Sequence, residues 1–408
     1  MSKRKMKDSG VEWLGEIPAE WDVTALSQQV SQVKCKNDNL VEKNLLSLSY
    51  GKIKRRDIDT VGGLLPASFE GYNRVESGDI VLRLTDLQND QHSLRTGLVK
   101  ENGIVTSAYV SVRPCSRSSS EYLHFALYAF DVAKGFYGMG SGVRQGLTYG
   151  DVKQLRLPYP PLDTQRKIAA YLDGRCAKID EMVSDAKKTI EEYKAWKSSV
   201  IFEAVTGKCK IENGECKIGG WAMRESGVEW IGMIPEGWRV NRVKRIVRVE
   251  NGSDPLTEGS IPVYGSGESS FKTCGEFKEG PTVLLGRKGA TLHIPHYIEG
   301  RYWNVDTAFD VRMKGNDNLR WFYYLAISFD YKAYISKTTL PSMTQSNYNN
   351  MHVPHPPVTE QCAIAAFLDK KCAAIDRVIA EKESLIADLE SYKKSLIFEC
   401  VTGKMEVA

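Results

Sequence analysis

Two long stretches of the chain repeat hydrophobic residues in alternating steps of three and four positions. They span residues 172–200 and 368–396, and lysines interrupt the seam at Lys197, Lys382 and Lys393. A seam kept over about four heptads is typical of a coiled coil. Each stretch follows a Pro-Pro pair and ends at Thr-Gly-Lys, which suits a helix start and a glycine stop. We therefore predict two long helices that pair with each other.

The segments ahead of these helices have a different pattern. Short apolar runs alternate with glycine-rich turns at residues 78–84, 103–112, 282–289 and 305–311, which is typical of strands. Each segment also holds one aromatic stretch with helical character, at 121–130 and 319–329. We expect these aromatic side chains to belong to the core. Each segment is therefore predicted to be a domain that mixes helix and sheet.

The chain contains an internal repeat. Residues 9–21 match 226–238, residues 158–173 match 354–369, and residues 201–208 match 397–404. Between these matches the two copies, 24–156 and 241–352, share little. A repeated frame around unlike inserts indicates one architecture with two specificities.

These observations predict an α+β fold with a pseudo-two-fold repeat, in which two long helices form an antiparallel coiled coil between two mixed domains. The predicted segments are a first domain at 1–156, a helical region at 157–208, a linker at 209–225, a second domain at 226–352 and a second helical region at 353–408.

The amino-acid composition restricts the possible classes of function but does not identify one. The 408 residues are 42% hydrophobic and 26% charged, with a net charge of +4, which permits a polyanionic partner without requiring one. No apolar run approaches the length of a membrane span, so we expect a cytoplasmic protein with no membrane partner. The nine cysteines include no Cys-x-x-Cys pair, and we expect reduced thiols and no zinc site.

Motifs for catalysis are missing from the sequence. There is no phosphate-binding Gly-x-x-x-x-Gly-Lys-Ser/Thr loop, and Tyr159-Pro160-Pro161-Leu162 lacks the leading Asp or Asn of an amino-methyltransferase loop. The triplet Glu276-Phe277-Lys278 resembles a nuclease fragment, but such triplets arise by chance in a chain this charged. We therefore predict no catalytic residues and no metal ligands.

Three paired motifs carry a resemblance to a known family. They are Gly-x-x-Trp-x-Gly-x-Ile-Pro-x-x-Trp, then Pro-x-Pro-Pro-x-x-x-Gln-x-x-Ile-Ala-x-x-Leu-Asp, then the terminal Thr-Gly-Lys, each present twice. In this order they resemble the specificity subunits of type I restriction-modification systems, over nearly the whole chain.

The resemblance implies a noncatalytic subunit with two target-recognition domains that bind double-stranded DNA. It also implies two methyltransferase subunits that carry S-adenosylmethionine, and restriction subunits that carry ATP and Mg²⁺, with no cofactor in this chain. Two unlike domains held apart would select an asymmetric bipartite site. Two alternatives stay open at this point: a coiled-coil scaffold whose domains bind a protein ligand, and a self-sufficient restriction enzyme.

Candidate contact residues follow from side-chain chemistry at predicted loops. Arg, Gln and Asn can pair with base edges, whereas Lys and Ser more often hold phosphates. The DNA-binding candidates in the first domain are Tyr50, Lys52, Lys54, Arg55, Arg83, Arg95, Ser107, Arg144 and Gln145. Those in the second domain are Tyr264, Ser266, Arg287, Lys288, Thr291, His293 and Asn304. The candidates for partner binding are Pro160, Pro161 and Gln165, with their counterparts Pro356, Pro357 and Gln361.

Overall fold

The computed structural model describes residues 4–57, 68–88, 90, 94–139, 146–336 and 341–407. The chain forms two compact units. The first unit contains Met1–Ala186 and Ser384–Ala408, and the second contains Lys187–Glu383. No helix in the described residues is long and apolar enough to cross a membrane.

The first unit is built from short strands, three short helices and part of each long helix. Its strands are β1 Met6–Asp8, β2 Glu16–Pro18, β3 Asp22–Ala25, β4 Val30–Val33, β5 Leu45–Ser49, β6 Lys52–Arg56, β7 Asn73–Val75, β8 Ile80–Leu82, β9 Thr96–Leu98, β10 Gly103–Val105, β11 Val110–Pro114 and β12 Arg156–Tyr159. Its short helices are α1 Leu26–Gln29, α2 Ser120–Val132 and α3 Tyr149–Val152, and the long helix α4 Leu162–Thr206 begins here.

From Met223 onward, the second unit repeats this order. Its strands are β13 Cys209–Glu212, β14 Glu215–Ile218, β15 Met223–Glu225, β16 Met233–Pro235, β17 Arg239–Arg242, β18 Val247–Asn251, β19 Ile261–Tyr264, β20 Lys272–Cys274, β21 Lys278–Glu279, β22 Thr282–Gly286, β23 His296–Ile298, β24 Arg301–Asn304, β25 Ala308–Met313 and β26 His352–His355. Its helices are α5 Val243–Ile246, α6 Leu319–Ile327, α7 Gln345–Asn350 and the start of the long helix α8 Val358–Val401.

The two units have the same sheet topology. In the first unit the strand orders are β6-β5-β10-β7 and β4-β11-β8-β9, and in the second they are β20-β19-β24-β21 and β18-β25-β22-β23. The pair β3-β12 corresponds to β17-β26, and β1-β2 corresponds to β15-β16. The predicted α+β fold with an internal repeat is therefore confirmed.

Each aromatic helix packs its rings into a core. Ser119 and Asn318 cap α2 and α6 by accepting hydrogen bonds from the backbone N–H groups of Tyr122 and Trp321. Tyr122 and Trp321 are themselves fully buried. The prediction that these aromatic stretches are core rather than base-stacking surface is confirmed.

The long helices pack against each other in both units. In the first unit Leu172 and Ile179, near the start of α4, share a core with Leu396 near the end of α8. In the second unit Leu368, near the start of α8, shares a core with Ile201 near the end of α4. The start of each helix meets the end of the other, so the predicted antiparallel pairing is confirmed.

Glycines end both long helices where the sequence predicts. Gly207 and Gly403 have φ angles of +75° and +71°, which favour glycine. A Cβ at Gly207 would lie 2.3 Å from Cδ of Pro235, and one at Gly403 would lie 2.4 Å from Cγ of Pro18. The repeated Thr-Gly-Lys therefore also makes room for the repeated Ile-Pro motif.

Two predictions about local structure are wrong. Residues 103–112 form two strands, β10 and β11, which belong to different sheets because a turn separates them. Cys209 and Cys216 form a disulfide rather than free thiols. Their hairpin pairs Cys209 with Ile218 and Ile211 with Cys216, so the two cysteines are diagonal neighbours across the strands.

Candidate nucleic-acid interface

Three loops of the second unit meet at the end of β22. The turn after β19 contacts the loop after β22, since Thr291 Oγ1 donates to the Ser266 carbonyl over 2.6 Å and Ser266 Oγ donates to the Lys288 carbonyl. The segment before α7 joins them, since Met343 N–H donates to the Arg287 carbonyl over 2.8 Å. We call these loops, at 265–270, 287–295 and 341–344, the three-loop surface of the second unit.

The first unit has the corresponding surface. The turn after β5 contacts the loop that connects β8 to β9, since a Cβ at Gly51 would lie 2.9 Å from Cδ1 of Leu94. The segment before α3 joins it, since Leu147 N–H donates to the Leu84 carbonyl over 2.8 Å. Because Met343 bonds Arg287 in the same way, Leu84 and Arg287 occupy equivalent positions.

Arg287 and Lys288 share one carboxylate. Arg287 Nη1 lies 3.2 Å from the Asp306 carbonyl and 3.9 Å from its Oδ2, and Lys288 Nζ lies 3.9 Å from the same Oδ2. All three side chains are partly exposed, with 34%, 43% and 51% of their surface accessible. Long, exposed ion pairs are weak, so a phosphate or base edge can replace Asp306. Side-chain chemistry alone did not identify Asp306, because acids repel DNA.

Two glycines, Gly286 and Gly289, flank this pair. A Cβ at Gly286 would lie 2.4 Å from the Leu292 carbonyl oxygen, so this glycine admits the chain's own loop. Gly289 has a φ of +118°, which only glycine adopts easily. Both glycines shape the loop that presents Arg287 and Lys288.

Most other candidates of the second unit lie near this surface. His293 is exposed, with its ring 6.4 Å from that of Tyr331. Tyr264 is half-buried and packs beside Leu284 and Tyr302. The hydroxyl groups of Ser266 and Thr291 donate the hydrogen bonds that join the loops, so both are engaged within the unit.

The candidates of the first unit are spread over several elements. Tyr50 is 75% exposed at the turn between β5 and β6, and Lys54 is exposed on β6. Lys52 forms an ion pair with Asp180 of α4 at 3.1 Å. Arg83 follows β8 with Nη1 3.8 Å from Oδ2 of Asp90, and Ser107 is exposed in the turn before β11.

Arg55 is exposed but already engaged. Its Nε lies 2.8 and 2.7 Å from the two carboxylate oxygens of Glu101. This hydrogen bond holds the pKa of Glu101 below its ordinary value. DNA would have to compete with that carboxylate for Arg55.

Two residues predicted to bind DNA are buried, so these two predictions are wrong. Arg95 is fully buried, and its guanidinium donates to the Thr85 carbonyl over 3.0 Å. Asn304 is also fully buried and donates to the Ala308 carbonyl over 2.9 Å. Both side chains satisfy backbone groups inside their unit, so neither faces a partner. Arg144 and Gln145 lie outside the described residues.

The repeated glutamines are likewise buried, which corrects their assignment to a docking surface. Gln165 Nε2 donates to the Pro160 carbonyl over 2.9 Å, and its Oε1 accepts from Ser119 N–H over 2.9 Å. Gln361 makes the equivalent bonds to Pro356 at 3.0 Å and Asn318 at 2.8 Å. Each glutamine thus ties the start of a long helix to the cap of an aromatic helix. We call each of these arrangements a glutamine clasp.

The prolines of this motif divide by exposure. Pro160 and Pro356 are buried, which corrects their assignment to a docking surface as well. Pro161 and Pro357 are exposed immediately before α4 and α8. Only these two of the six partner-binding candidates lie at the surface.

The contacts of Glu276 and Lys278 do not form the arrangement of a nuclease site. Glu276 accepts backbone hydrogen bonds from Leu256 and Thr257 at 2.7 and 3.0 Å. Lys278 instead reaches Asn304 at 2.8 Å and Asp310 at 3.2 Å. The two side chains of the triplet therefore serve separate structural contacts.

Comparison with known proteins identifies the class. Residues 235–386 match the model of the type I restriction modification DNA specificity domain. The chain is 20% identical over 426 residues to the type I restriction enzyme MjaVIII specificity subunit of Methanocaldococcus jannaschii, covering 96% of this chain and 94% of that protein. The second unit therefore carries a DNA specificity domain.

Solved structures show the same fold over nearly the whole chain. A chain from a structure of a type I R-M system aligns with a TM-score of 0.72 at 16% identity, covering 95% of this chain and 99% of that one. The HsdS subunit from Thermoanaerobacter tengcongensis aligns with a TM-score of 0.51 at 16% identity, covering 95% and 98%. Residues 235–386 thus match a type I restriction modification DNA specificity domain, and the chain as a whole is similar in sequence to type I specificity subunits and shares the fold of these solved structures.

Proposed function

We propose that this chain is the noncatalytic subunit that reads an asymmetric, bipartite DNA site, one half-site for each unit. The observation that carries the proposal is that the two units share one sheet topology but have different side chains at equivalent positions. Leu84 follows β8 where Arg287 follows β22, and the backbone carbonyls of both accept the same hydrogen bond. Leu84 is buried in the core of its unit, whereas Arg287 is partly exposed and can pair with a guanine edge. The two units should therefore read different bases.

The surfaces proposed to meet DNA are the three-loop surfaces. In the second unit, Arg287, Lys288 and His293 supply donors on a loop that glycines hold in place. In the first unit, Tyr50, Lys54 and Arg83 lie on or beside the matching loops. Such a set can bond both phosphates and base edges.

The proposed protein partners are two methyltransferase subunits, with restriction subunits in the full complex. A duplicated frame offers two equivalent docking surfaces, as symmetric interfaces reuse one patch, and exposed Pro161 and Pro357 mark them. S-adenosylmethionine, ATP and Mg²⁺ would be held by those partners. This chain would supply sequence recognition alone.

DNA binding by the purified chain tests the proposal. A mobility shift with cognate duplex should weaken linearly in log affinity with log salt concentration, because phosphate contacts release counterions. Methyl transfer should be absent with the chain alone and should appear when the methyltransferase subunit is added. Binding that ignores salt and sequence would instead favour a scaffold for a protein ligand. Robust methyl transfer by the chain alone would contradict a noncatalytic subunit.

A further inference from the structure

A cavity of about 310 Å³ lies in the second unit, beside β13, the turn after β16 and the start of α8. Its wall includes the indole rings of Trp221 and Trp238 and the carboxylates of Glu236 and Glu360. Trp238 Nε1 donates to Glu360 Oε2 over 2.8 Å. Trp221 Nε1 is buried and has no hydrogen-bond partner among the described residues. The Trp221 N–H is therefore able to donate to an oxygen of a partner that enters the cavity.

The first unit shows what fills the equivalent space. Met6 pairs with Pro18 as Met223 pairs with Pro235, so Arg4 stands where Trp221 stands. The Arg4 guanidinium lies 5.3 Å from the ring centroid of Trp21, and its Nε donates to Glu20 over 2.9 Å. The first copy therefore covers its tryptophan with its own arginine, held by a carboxylate.

The second copy keeps the aromatic ring as Trp238, but it has Gly237 at the position of Glu20 and no arginine at the position of Arg4. Glu236 and Glu360 instead bring carboxylates to the cavity from other positions. Lys210 lines the cavity, yet its Nζ lies 3.0 Å from Glu212, which offsets its charge. Glu236 is exposed at the rim. The wall thus favours a cation that stacks on an indole, and a planar guanidinium does this while also pairing with a carboxylate.

We propose that this cavity accepts an arginine side chain of a methyltransferase subunit, whose backbone carbonyl also receives the Trp221 N–H. The inference rests on the proposed function, because that function supplies the partner. It makes the two docking surfaces unequal: the first unit has its pocket filled internally by Arg4, and the second takes an arginine from its partner.

Native mass spectrometry with a methyltransferase subunit of the same restriction-modification system provides the test. Two variants change the cavity: Glu236→Lys reverses the charge at the rim, and Trp221→Arg supplies an internal guanidinium as in the first unit. Glu229→Lys is the matched control, since Glu229 is exposed on the same repeated motif but does not line the cavity. Each variant is titrated from one to two bound subunits.

We expect the unaltered chain and Glu229→Lys to bind two methyltransferase subunits. Glu236→Lys and Trp221→Arg should bind the first subunit normally and the second at least about 10-fold more weakly, since a desolvated cation–π contact contributes this much. Unchanged binding of both subunits by both cavity variants would overturn the inference. Failure of the unaltered chain to bind any methyltransferase would overturn the proposed function itself. Retained first-site binding shows that a variant has folded.

Discussion

Gln165 and Gln361 show how one buried side chain can join two elements. Each clasp satisfies a backbone N–H at a helix cap and a proline carbonyl that are otherwise shielded from water. Gln165→Met keeps the volume but leaves both groups unpaired, so we expect it to lower the free energy of unfolding by about 1–3 kcal/mol. Arg166→Ala, at an exposed neighbour, is the control. Denaturant titration measures both, and equal stability of Gln165→Met and Arg166→Ala would rule out the clasp.

The loop that carries Arg287 and Lys288 should determine only one half-site. Replacing either residue with alanine should leave the half-site read by the first unit unchanged. A lost base contact should relax one position by about 1–3 kcal/mol, whereas a lost phosphate contact should weaken all sequences alike and reduce the salt slope by about 1. Competition binding with a library of duplexes separates these results. Changes at both half-sites would show that the loop does not act within its own unit.

His124 should make stability depend on pH. Burial lowers its pKa from 6.5 to about 4. The unfolded chain therefore takes up this proton first, and stability that is complete above pH 6.5 is lost as the pH falls towards 4. We expect a loss on the order of 1 kcal/mol near pH 5, since the ring is half-buried. Asp131 acts in the opposite sense, because burial raises its pKa to about 6.

Comparison of the unaltered chain with His124→Gln isolates this effect, because Asp131 contributes to both. Melting temperatures between pH 4.5 and 7.5 should fall more steeply for the unaltered chain than for the variant. Parallel curves would show that His124 does not titrate differently in the folded state.

Side-chain type predicted the candidate contacts only in part. Arg95, Asn304 and the two glutamines have the right chemistry for a partner, but burial commits them to backbone groups of their own unit. A sequence gives residue type and spacing, whereas burial depends on which loops fold over which strands. Arg287 and Lys288 remain on the surface because their loop turns away from the sheet at glycines.

The long helices show that a break in a hydrophobic pattern can itself carry information. Lys197 and Lys393 interrupt the predicted seams, and both find an aspartate on the other helix. Lys393 Nζ lies 2.6 Å from Asp180 and Lys197 Nζ lies 2.7 Å from Asp376. Burial opposes ionisation of Asp180, but Lys393 and Lys52 outweigh it and hold its pKa below the ordinary value. These reciprocal pairs fix the antiparallel register more than they add stability.

Shortening both helices should change the spacer and leave the half-sites intact. Deleting residues 185–191 and 382–388 removes one heptad from each helix and retains both Lys–Asp pairs, which lie outside the deleted segments. One heptad is about 10 Å at 1.5 Å per residue. At about 3.4 Å per base pair, the spacer should shorten by about three base pairs. Mapping of methylated sites checks this, and altered half-sites with an unchanged spacer would contradict it.

Hydrophobic periodicity predicted the type of several elements correctly, but it did not predict where each element begins and ends. The helical seams lie within α4 and α8, and the four predicted strand segments overlap β8, β10 and β11, β22, and β25. The split of residues 103–112 into β10 and β11 was missed because both halves are equally apolar, although a turn sends them to different sheets. The Cys209–Cys216 disulfide was missed because it joins diagonal partners of a hairpin, which cysteine spacing alone does not reveal.

The internal repeat explains how each unit of the molecule is assembled. Repeated motifs meet one another in space: the Trp21 motif packs on Gly403, and the Trp238 motif packs on Gly207. Each unit therefore needs the end of one long helix and the start of the other, which explains why the frame is repeated while the inserts diverge. The sequence could reveal the duplication, but it could not show which inserted residues share a surface, since that depends on loop contacts such as Thr291 with Ser266.

Methylation mapping in cells, with and without this chain, tests most directly whether it is a two-part DNA reader. Single-molecule sequencing would locate every methylated base in a strain that carries the chain with its methyltransferase and in a strain that lacks only the chain. We predict one motif made of two short, different half-sites separated by unspecified bases, and its complete loss when the chain is absent. A continuous motif, or a motif that survives loss of the chain, would contradict a two-part DNA reader.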